Sequence, residues 1–150
     1  MKSQFVYVTY IKSTPEKLWQ ALSTPQLIKK YWAGMYIDTD WKVGSAWTLK
    51  FPDGRVADAG EIIEFSTHKR IVIKWRNEWK TEMKEEGFSQ CSFDLEQTNG
   101  AVKLTVKHEI DVLNSKFIEA VTDGWPFILS NLKSLLETGD VVLKEIAHHK

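Results

Sequence analysis

The residue with the clearest capacity for acid–base chemistry is His108. Apolar and polar residues alternate over residues 101–110, and His108 takes an apolar position between Val106 and Ile110. An inward imidazole titrates near neutrality, so it could hydrogen-bond a ligand or act as a general base. The same spacing fits a histidine at the edge of the core, satisfied by a neighbouring side chain or backbone carbonyl. The sequence leaves both interpretations open.

Glu61 is the carboxylate that could act together with His108. It shares the alternation of Ala59, Ile63 and Phe65, which directs it inward if the strand is regular. Facing His108, it would complete an acid–base pair for a reaction in a cavity. A bulge anywhere in residues 55–65 would reverse the alternation and expose Glu61 to solvent. These two residues are the candidate catalytic groups.

Aromatic residues are abundant, with seven Trp, seven Phe and four Tyr. Large aromatic side chains can line a pocket or fill an ordinary core. Asn77 lies between two of the tryptophans on the same alternation, where it is either a polar contact in an aromatic wall or a solvated strand end. The candidate ligand-binding residues are Trp47, Trp75, Asn77, Trp79, His108, Trp125 and Leu129.

Other kinds of site find no support in the residue pattern. The single cysteine, Cys91, excludes a disulfide within the chain and a thiolate metal cluster, and its strand position indicates packing. His68 falls in a turn, while His148 and His149 lie in the C-terminal tail. No spacing of His, Asp and Glu on one element predicts a metal site, and no glycine-rich phosphate loop is present. We therefore expect neither a metal nor another cofactor.

Charge and composition are those of an ordinary globular protein. Hydrophobic residues make up 43% and charged residues 27%, and 20 basic residues balance 20 acidic ones. This balance argues against a nucleic-acid or anionic membrane partner. The N-terminal residues lack the apolar core of a signal peptide, which favours a reduced cytoplasmic compartment. We expect one domain over residues 1–150, as a monomer or weak homodimer.

The N-terminal third predicts a strand followed by two short helices. Residues 5–11 are β-branched and aromatic, as is typical of a strand. Ser13 or Thr14 precedes Pro15, a helix start signal, and the first helix extends to about Leu22. Pro25 repeats the signal and opens a second helix through Tyr31 and Trp32.

The middle of the chain predicts six antiparallel strands. Two hairpin signals occur, Pro52-Asp53-Gly54 and Thr98-Asn99-Gly100, because Asp-Gly and Asn-Gly provide the positive φ that tight turns need. Residues 80–86, rich in Lys and Glu, are interpreted as a solvated hairpin tip. The predicted strands are residues 35–41, 45–51, 55–65, 69–79, 87–97 and 101–110.

A long amphipathic helix ends the pattern. Apolar residues recur at steps of three and four from Phe117 to Leu136, and Gly139 is a helix stop signal. Gly124 and Pro126 predict a kink or a short break near Trp125. A sheet with one apolar face needs a cover, and this helix is the large element able to provide it. The prediction is an α+β fold, with a curved antiparallel sheet of six or seven strands wrapped around the helix.

Three stretches of the sequence resemble the family named for the heat-shock chaperone ATPase activator homologues. They occur in the family's order and span nearly the whole chain. They are residues 13–32, with Ser13-Thr14-Pro15-Glu16 and Tyr31-Trp32; residues 60–75, with Gly60-Glu61-Ile62-Ile63-Glu64 and Arg70-Ile71-Val72-Ile73-Lys74-Trp75; and residues 124–139, with Gly124-Trp125-Pro126 and Leu135-Leu136-Glu137-Thr138-Gly139.

The resemblance implies the helix-grip fold of the START and polyketide cyclase (SRPBCC) superfamily. Members commonly hold a hydrophobic ligand between sheet and helix, so we expect a binding or carrier protein for a hydrophobic small molecule or lipid. A cyclase or hydratase acting in the same cavity is one alternative, and a chaperone-interacting stress-response module is another. The family's chaperone activators carry a separate chaperone-binding domain that this sequence lacks, so chaperone activation is not inherited from the family's name.

Overall fold

The computed structural model describes residues 2–144, so His148 and His149 lie outside the described residues. The described part of the chain is α+β and contains seven strands and four helices. In chain order these are β1 Ser3–Ile11, α1 Pro15–Ser23, α2 Pro25–Tyr31, β2 Tyr36–Thr39, β3 Ala46–Lys50, β4 Val56–Ser66, β5 Arg70–Asn77, α3 Thr81–Lys84, β6 Ser89–Thr98, β7 Ala101–Ile110 and α4 Lys116–Thr138.

The seven strands form one curved, open, antiparallel sheet in the order β1-β7-β6-β5-β4-β3-β2. Strands β2 to β7 pair with their neighbours in sequence, while β1 pairs with β7 at the far edge. The helices α1 and α2 therefore carry the chain from one edge of the sheet to the other. The predicted helix-grip architecture, with two short helices after the first strand, is confirmed.

Capping residues mark the first residues of α1 and α4 and the last residue of α4. Thr14 accepts a hydrogen bond from the Lys17 N–H, and Ser115 does the same for the Ile118 N–H at the start of α4. The Glu86 carboxylate also accepts from the Ser115 hydroxyl and from the Lys116 N–H, which ties the segment after α3 to α4. Gly139, with φ of 87°, ends α4 in the left-handed conformation.

The long helix α4 covers the inner face of the sheet. It runs without interruption through Gly124-Trp125-Pro126, so the predicted possibility of a break there is wrong. Proline has no N–H and removes one intrahelical hydrogen bond, yet the packed face on both sides holds the helix together. The side chains that α4 buries are Phe117, Ile118, Trp125, Leu129, Asn131 and Leu132.

Strand β4 contains a bulge, so the side chains that face the core differ from those that regular alternation predicts. The pairing with β5 shifts register between Ile62 and Glu64. Asp58 and Ile62 are buried, whereas Glu61 is exposed and Ile63 is 42% exposed. A bulge adds one residue to a strand and so reverses which side chains face the core on either side of it. The inward alternative for Glu61 is therefore wrong, and the exposed alternative that a bulge produces is confirmed.

The segment after β5 also differs from the prediction. The strand ends at Asn77 and does not reach Trp79, and the short helix α3 replaces part of the expected hairpin tip. Asn77 accounts for the change, since its side-chain oxygen accepts hydrogen bonds from the N–H groups of Trp79 and Lys80 at 3.2 and 2.8 Å. An asparagine that binds the following backbone in this way turns the chain out of the sheet.

Candidate functional site

The space between the sheet and the C-terminal half of α4 is filled by side chains. A residual gap of about 10 Å³ remains there, roughly the room that one water molecule needs. Leu129, a candidate ligand-binding residue, lies beside this gap with Ile73 and Phe93. It is 2% exposed and packs within the core.

A larger cleft of about 840 Å³ opens at the N-terminal half of α4. It lies between α4, the end of α2 and the ends of β3, β4 and β5, with Met83 of α3 at its edge. Its walls are mostly aromatic and aliphatic, a composition typical of small-molecule sites. The principal lining side chains are Trp32, Met35, Leu49, Phe51, Asp58, Trp75, Asn77, Trp79, Met83, Phe117, Val121, Trp125, Phe127 and Ile128.

Trp75 forms the centre of the buried wall and packs against Trp47 across Gly60. Gly60 is paired between Trp47 on β3 and Trp75 on β5. The two indole rings therefore meet across the strand, with centroids 4.4 Å apart. Trp47 is fully buried behind Trp75, and its Nε1 has no hydrogen-bond partner within residues 2–144. Trp47 supports the wall, and Trp75 lines the cleft.

His108 is fully buried directly behind this wall. The Trp125 Nε1–H donates to His108 Nδ1 at 3.2 Å, so the proton of a neutral imidazole lies on Nε2. His108 Nε2–H then donates to the Ser89 hydroxyl at 2.9 Å, and that hydroxyl donates to the Trp75 carbonyl at 2.8 Å. Both ring nitrogens are thus committed to protein partners.

Burial lowers the pKa of His108 from its ordinary value of 6.5 to about 3. The imidazole is neutral at physiological pH and ties Trp125 of α4 to Ser89 and Trp75 of the sheet. This geometry matches the core-edge interpretation of His108. Its network orients two indoles that line the cleft.

Asp58 is the polar residue of the cleft that the sequence pattern missed. It is 7% exposed, and its Oδ2 accepts a hydrogen bond from the Trp75 Nε1–H at 2.7 Å. Burial, opposed by this hydrogen bond and reinforced by the nearby Glu78 charge, raises the pKa of Asp58 to about 7. A glycine inside a strand often marks a bulge or a close backbone approach, so Gly60 is the sequence signal that the alternation in β4 is irregular.

The remaining candidate residues lie at the edge of the cleft or outside it. Asn77 and Trp79 line the cleft, where Trp79 is 48% exposed and contacts the Phe51 ring edge-on. Glu61 is exposed and does not face His108, so the structure does not bring the two candidate catalytic residues together. Cys91 is fully buried, and burial raises the pKa of its thiol well above the ordinary value.

Residues 2–144 contain neither a metal-binding cluster nor a membrane-spanning helix. No group of three or more His, Cys, Asp or Glu side chains there is arranged to hold a metal ion. Within the same residues, no helix is long and apolar enough to cross a membrane.

The fold and the cleft define a protein of the helix-grip class. The sequence model of the family described as "Activator of Hsp90 ATPase homolog 1-like protein" matches residues 12–137. The chain belongs to this family. No curated protein is similar enough in sequence to count as a match.

Solved structures share the fold at low sequence identity. Protein MLL2253 from Mesorhizobium loti is 23% identical, with a TM-score of 0.79, over 93% of this chain and 100% of that chain. The Aha1 dimer from Colwellia psychrerythraea is 23% identical, with a TM-score of 0.74, over 91% and 98%. PFC0360w, an HSP90 activator from Plasmodium falciparum, is 22% identical, with a TM-score of 0.72, over 89% and 95%.

Proposed function

We propose that this protein binds a hydrophobic small molecule in the cleft at the N-terminal half of α4. The observation that carries the proposal is the cleft itself, about 840 Å³ in volume and walled by the indoles of Trp32, Trp75, Trp79 and Trp125. A space of this size suits a drug-sized or lipid-like ligand. The hydrogen bonds of Trp75 and Trp125 hold two of these indoles in fixed orientations, which lowers the entropy that binding would cost.

Binding or carriage is better supported than catalysis. An acid–base reaction based on His108 would need a free ring nitrogen facing the ligand, and both nitrogens are bonded to Trp125 and Ser89. Glu61, the second candidate group, is exposed to solvent. A cyclase or hydratase activity therefore remains the alternative, and it would have to rely on Asp58.

A chaperone-interacting role is the second alternative. It is suggested by the family's name and by the relative from Plasmodium falciparum, PFC0360w, which is an HSP90 activator. We rank it below ligand binding because the cleft needs no partner protein to explain it. The Colwellia psychrerythraea relative is described as a dimer, and for this chain we propose a monomer or weak homodimer.

Two further proposals concern the chain as a whole. We propose that residues 1–150 act as one domain, since α4 packs against β1, β7 and the three other helices. We also propose a reduced cytoplasmic compartment, which is supported by a single cysteine, Cys91, that is fully buried.

Gly124 provides a test that separates binding from folding. A Cβ added at Gly124 meets no atom within 4 Å, and the residue lines the cleft. Gly124→Leu should therefore place a bulky side chain in the cleft while strengthening the helix, and Gly124→Ala should strengthen the helix without the bulk. We expect Nile red, an uncharged fluorescent dye, to bind wild type and Gly124→Ala equally, and Gly124→Leu about tenfold or more weakly.

The dye-binding result is interpreted together with the thermal stability of the two Gly124 variants. Thermal unfolding should show both variants at least as stable as wild type, so that weaker dye binding cannot be assigned to misfolding. Equal dye binding by Gly124→Leu and Gly124→Ala would contradict the proposal.

A further inference from the structure

The charged side chains of the cleft divide into a rim and one buried group. Lys29, Lys30, Asp123 and Lys144 are exposed at the rim. Asp58 is the buried one, at 7% exposure, and it lies at the inner wall beside Trp75. A ligand that enters the cleft therefore meets a carboxyl group at its inner end.

The carboxylate of Asp58 has no cation to balance it. Its hydrogen-bond partner is the neutral indole N–H of Trp75, and no ion pair formed by the described residues includes it. The charge that acts on it most directly is that of Glu78, which has the same sign. A buried carboxylate without a counter-charge costs several kcal/mol, and a cation brought by a ligand would remove much of that cost.

The walls around Asp58 also favour a cation. Trp32 contacts Trp125 and Trp75 with centroids 5.4 and 6.4 Å apart, so indole rings crowd this end of the cleft. The N–H groups of Trp75 and Trp125 are already bonded to Asp58 and His108. Trp75 and Trp125 are 3% and 2% exposed, so neighbouring side chains cover most of each ring. The Trp79 ring, at 48% exposure in the same cleft, is the indole surface that an ammonium group can contact.

We propose that the cleft binds an apolar molecule carrying a protonated amine, and that the Asp58 carboxylate receives the ammonium group. This inference rests on the proposed function, because it names the class of ligand for the same cleft. A fatty acid would bring a second negative charge, or bare hydrocarbon, to Asp58 and would leave its cost in place.

The rim lysines do not oppose such a ligand strongly. The Lys29 ammonium lies 4.8 Å from the centre of the Tyr36 ring, and Lys144 is paired with Asp140. Lys30 is exposed, so solvent and salt screen it. Asp123, from α4, adds a negative charge at the entrance.

Three probes of one shape and different charge test the proposal by calorimetric titration: naphthylmethylamine, naphthylmethanol and naphthoic acid. We expect the amine to bind about tenfold or more tightly than the alcohol, and the acid to bind most weakly. Asp58→Asn keeps an oxygen for the Trp75 N–H and removes the charge. It should weaken amine binding to about the level of the alcohol, so that the variant no longer prefers the amine.

The pH dependence of wild type gives a second measurement that needs no variant. The charge that acts on Asp58 is that of Glu78, which pairs with Arg76 of β5 and Lys84 of α3. The other charged groups that line its cleft are Asp123 of α4, Lys29 and Lys30 of α2, and Lys144. As pH rises from about 6 to about 8, Asp58 ionises, so amine affinity should rise several-fold while alcohol affinity stays constant.

The results distinguish failure of this inference from failure of the proposed function. If the alcohol binds as tightly as the amine, or if Asp58→Asn binds the amine like wild type, the ligand class is wrong and the cleft remains a binding site. If none of the three probes binds wild type, both the ligand class and the binding function are contradicted.

Discussion

Two buried titratable side chains, His108 and Asp58, lie on opposite sides of the same tryptophan wall. His108 is neutral and bonded at both nitrogens, to Trp125 and Ser89. Asp58 has one bond, from Trp75, and lines the cleft. At the scale of residues, His108 has the environment of a structural group and Asp58 has that of a ligand-binding group.

The His108 network should be measurable as stability. His108→Ala removes a buried ring and leaves the Trp125 N–H and Ser89 without their partner, so we expect a loss of about 3 kcal/mol. Urea unfolding measures it, with Lys107→Ala, on the outer face of the same strand, as the control at under about 0.5 kcal/mol. Equal effects of the two substitutions would contradict the structural role.

Asp58 should make stability depend on pH in a predictable direction. Its pKa is about 7 in the folded protein against an ordinary value of 3.8, so between these values the folded state binds the extra proton. The wild type therefore loses stability from this group as pH rises through that window, and the loss is complete above about pH 7.

Asp58→Asn removes this titration. We expect the stability of the variant relative to wild type to increase by a few kcal/mol between about pH 4 and about pH 7 and then to level off. Urea unfolding at several pH values measures the difference. A difference that is independent of pH would contradict an ionising, buried Asp58.

At the scale of elements, strand β4 decides which side chains reach the cleft. Hydrophobic alternation predicted β6, β7 and the long helix well, because each is regular and has one buried face. It failed in β4, where the register shift between Ile62 and Glu64 puts Asp58 inside and Glu61 outside. A bulge depends on pairing with neighbouring strands, and alternation within one strand does not reveal it.

The candidate site was predictable to a similar extent. The sequence identified Trp75, Trp79 and Trp125, because indoles at apolar positions are conspicuous. The sequence did not predict which half of α4 has an open cleft beside it, since that depends on how completely side chains fill the space around Leu129. The two hydrogen-bond partners of His108, Trp125 and Ser89, likewise come from two other elements, α4 and β6.

Gly60 holds the β3–β4–β5 wall together by the absence of a side chain. A Cβ there would lie 1.6 Å from the Lys74 carbonyl oxygen, a backbone atom that cannot move aside cheaply. Gly60→Ala should therefore cost about 3 kcal/mol or more. Gly124→Ala, in open space on α4, should stabilise by about 0.5–1 kcal/mol.

Thermal and urea unfolding of these two variants measure the contrast. Replacing glycine by alanine is expected to lower the free energy of unfolding at position 60 and to raise it at position 124. A mild effect at Gly60 would show that the strands can separate there and that the wall is not rigid.

At the scale of the whole molecule, the two ends of the described chain meet through α4. Lys133 of α4 donates to the Tyr10 carbonyl of β1 at 2.5 Å, and the Lys12 N–H donates to Glu137 at 2.8 Å. The proposed single domain should therefore unfold in one cooperative transition. Tryptophan fluorescence and far-ultraviolet circular dichroism should give the same urea midpoint, and two separate midpoints would contradict a single domain.

The indole N–H signals in a ¹H–¹⁵N spectrum report whether a ligand occupies the cleft at the N-terminal half of α4. We predict that naphthylmethanol shifts the signals of Trp32, Trp75, Trp79 and Trp125, which line the cleft. Trp19 and Trp41, which pack together around Phe65 at a different site, should not shift. Shifts confined to Trp19 and Trp41, or no shifts at saturating ligand, would contradict ligand binding in this cleft.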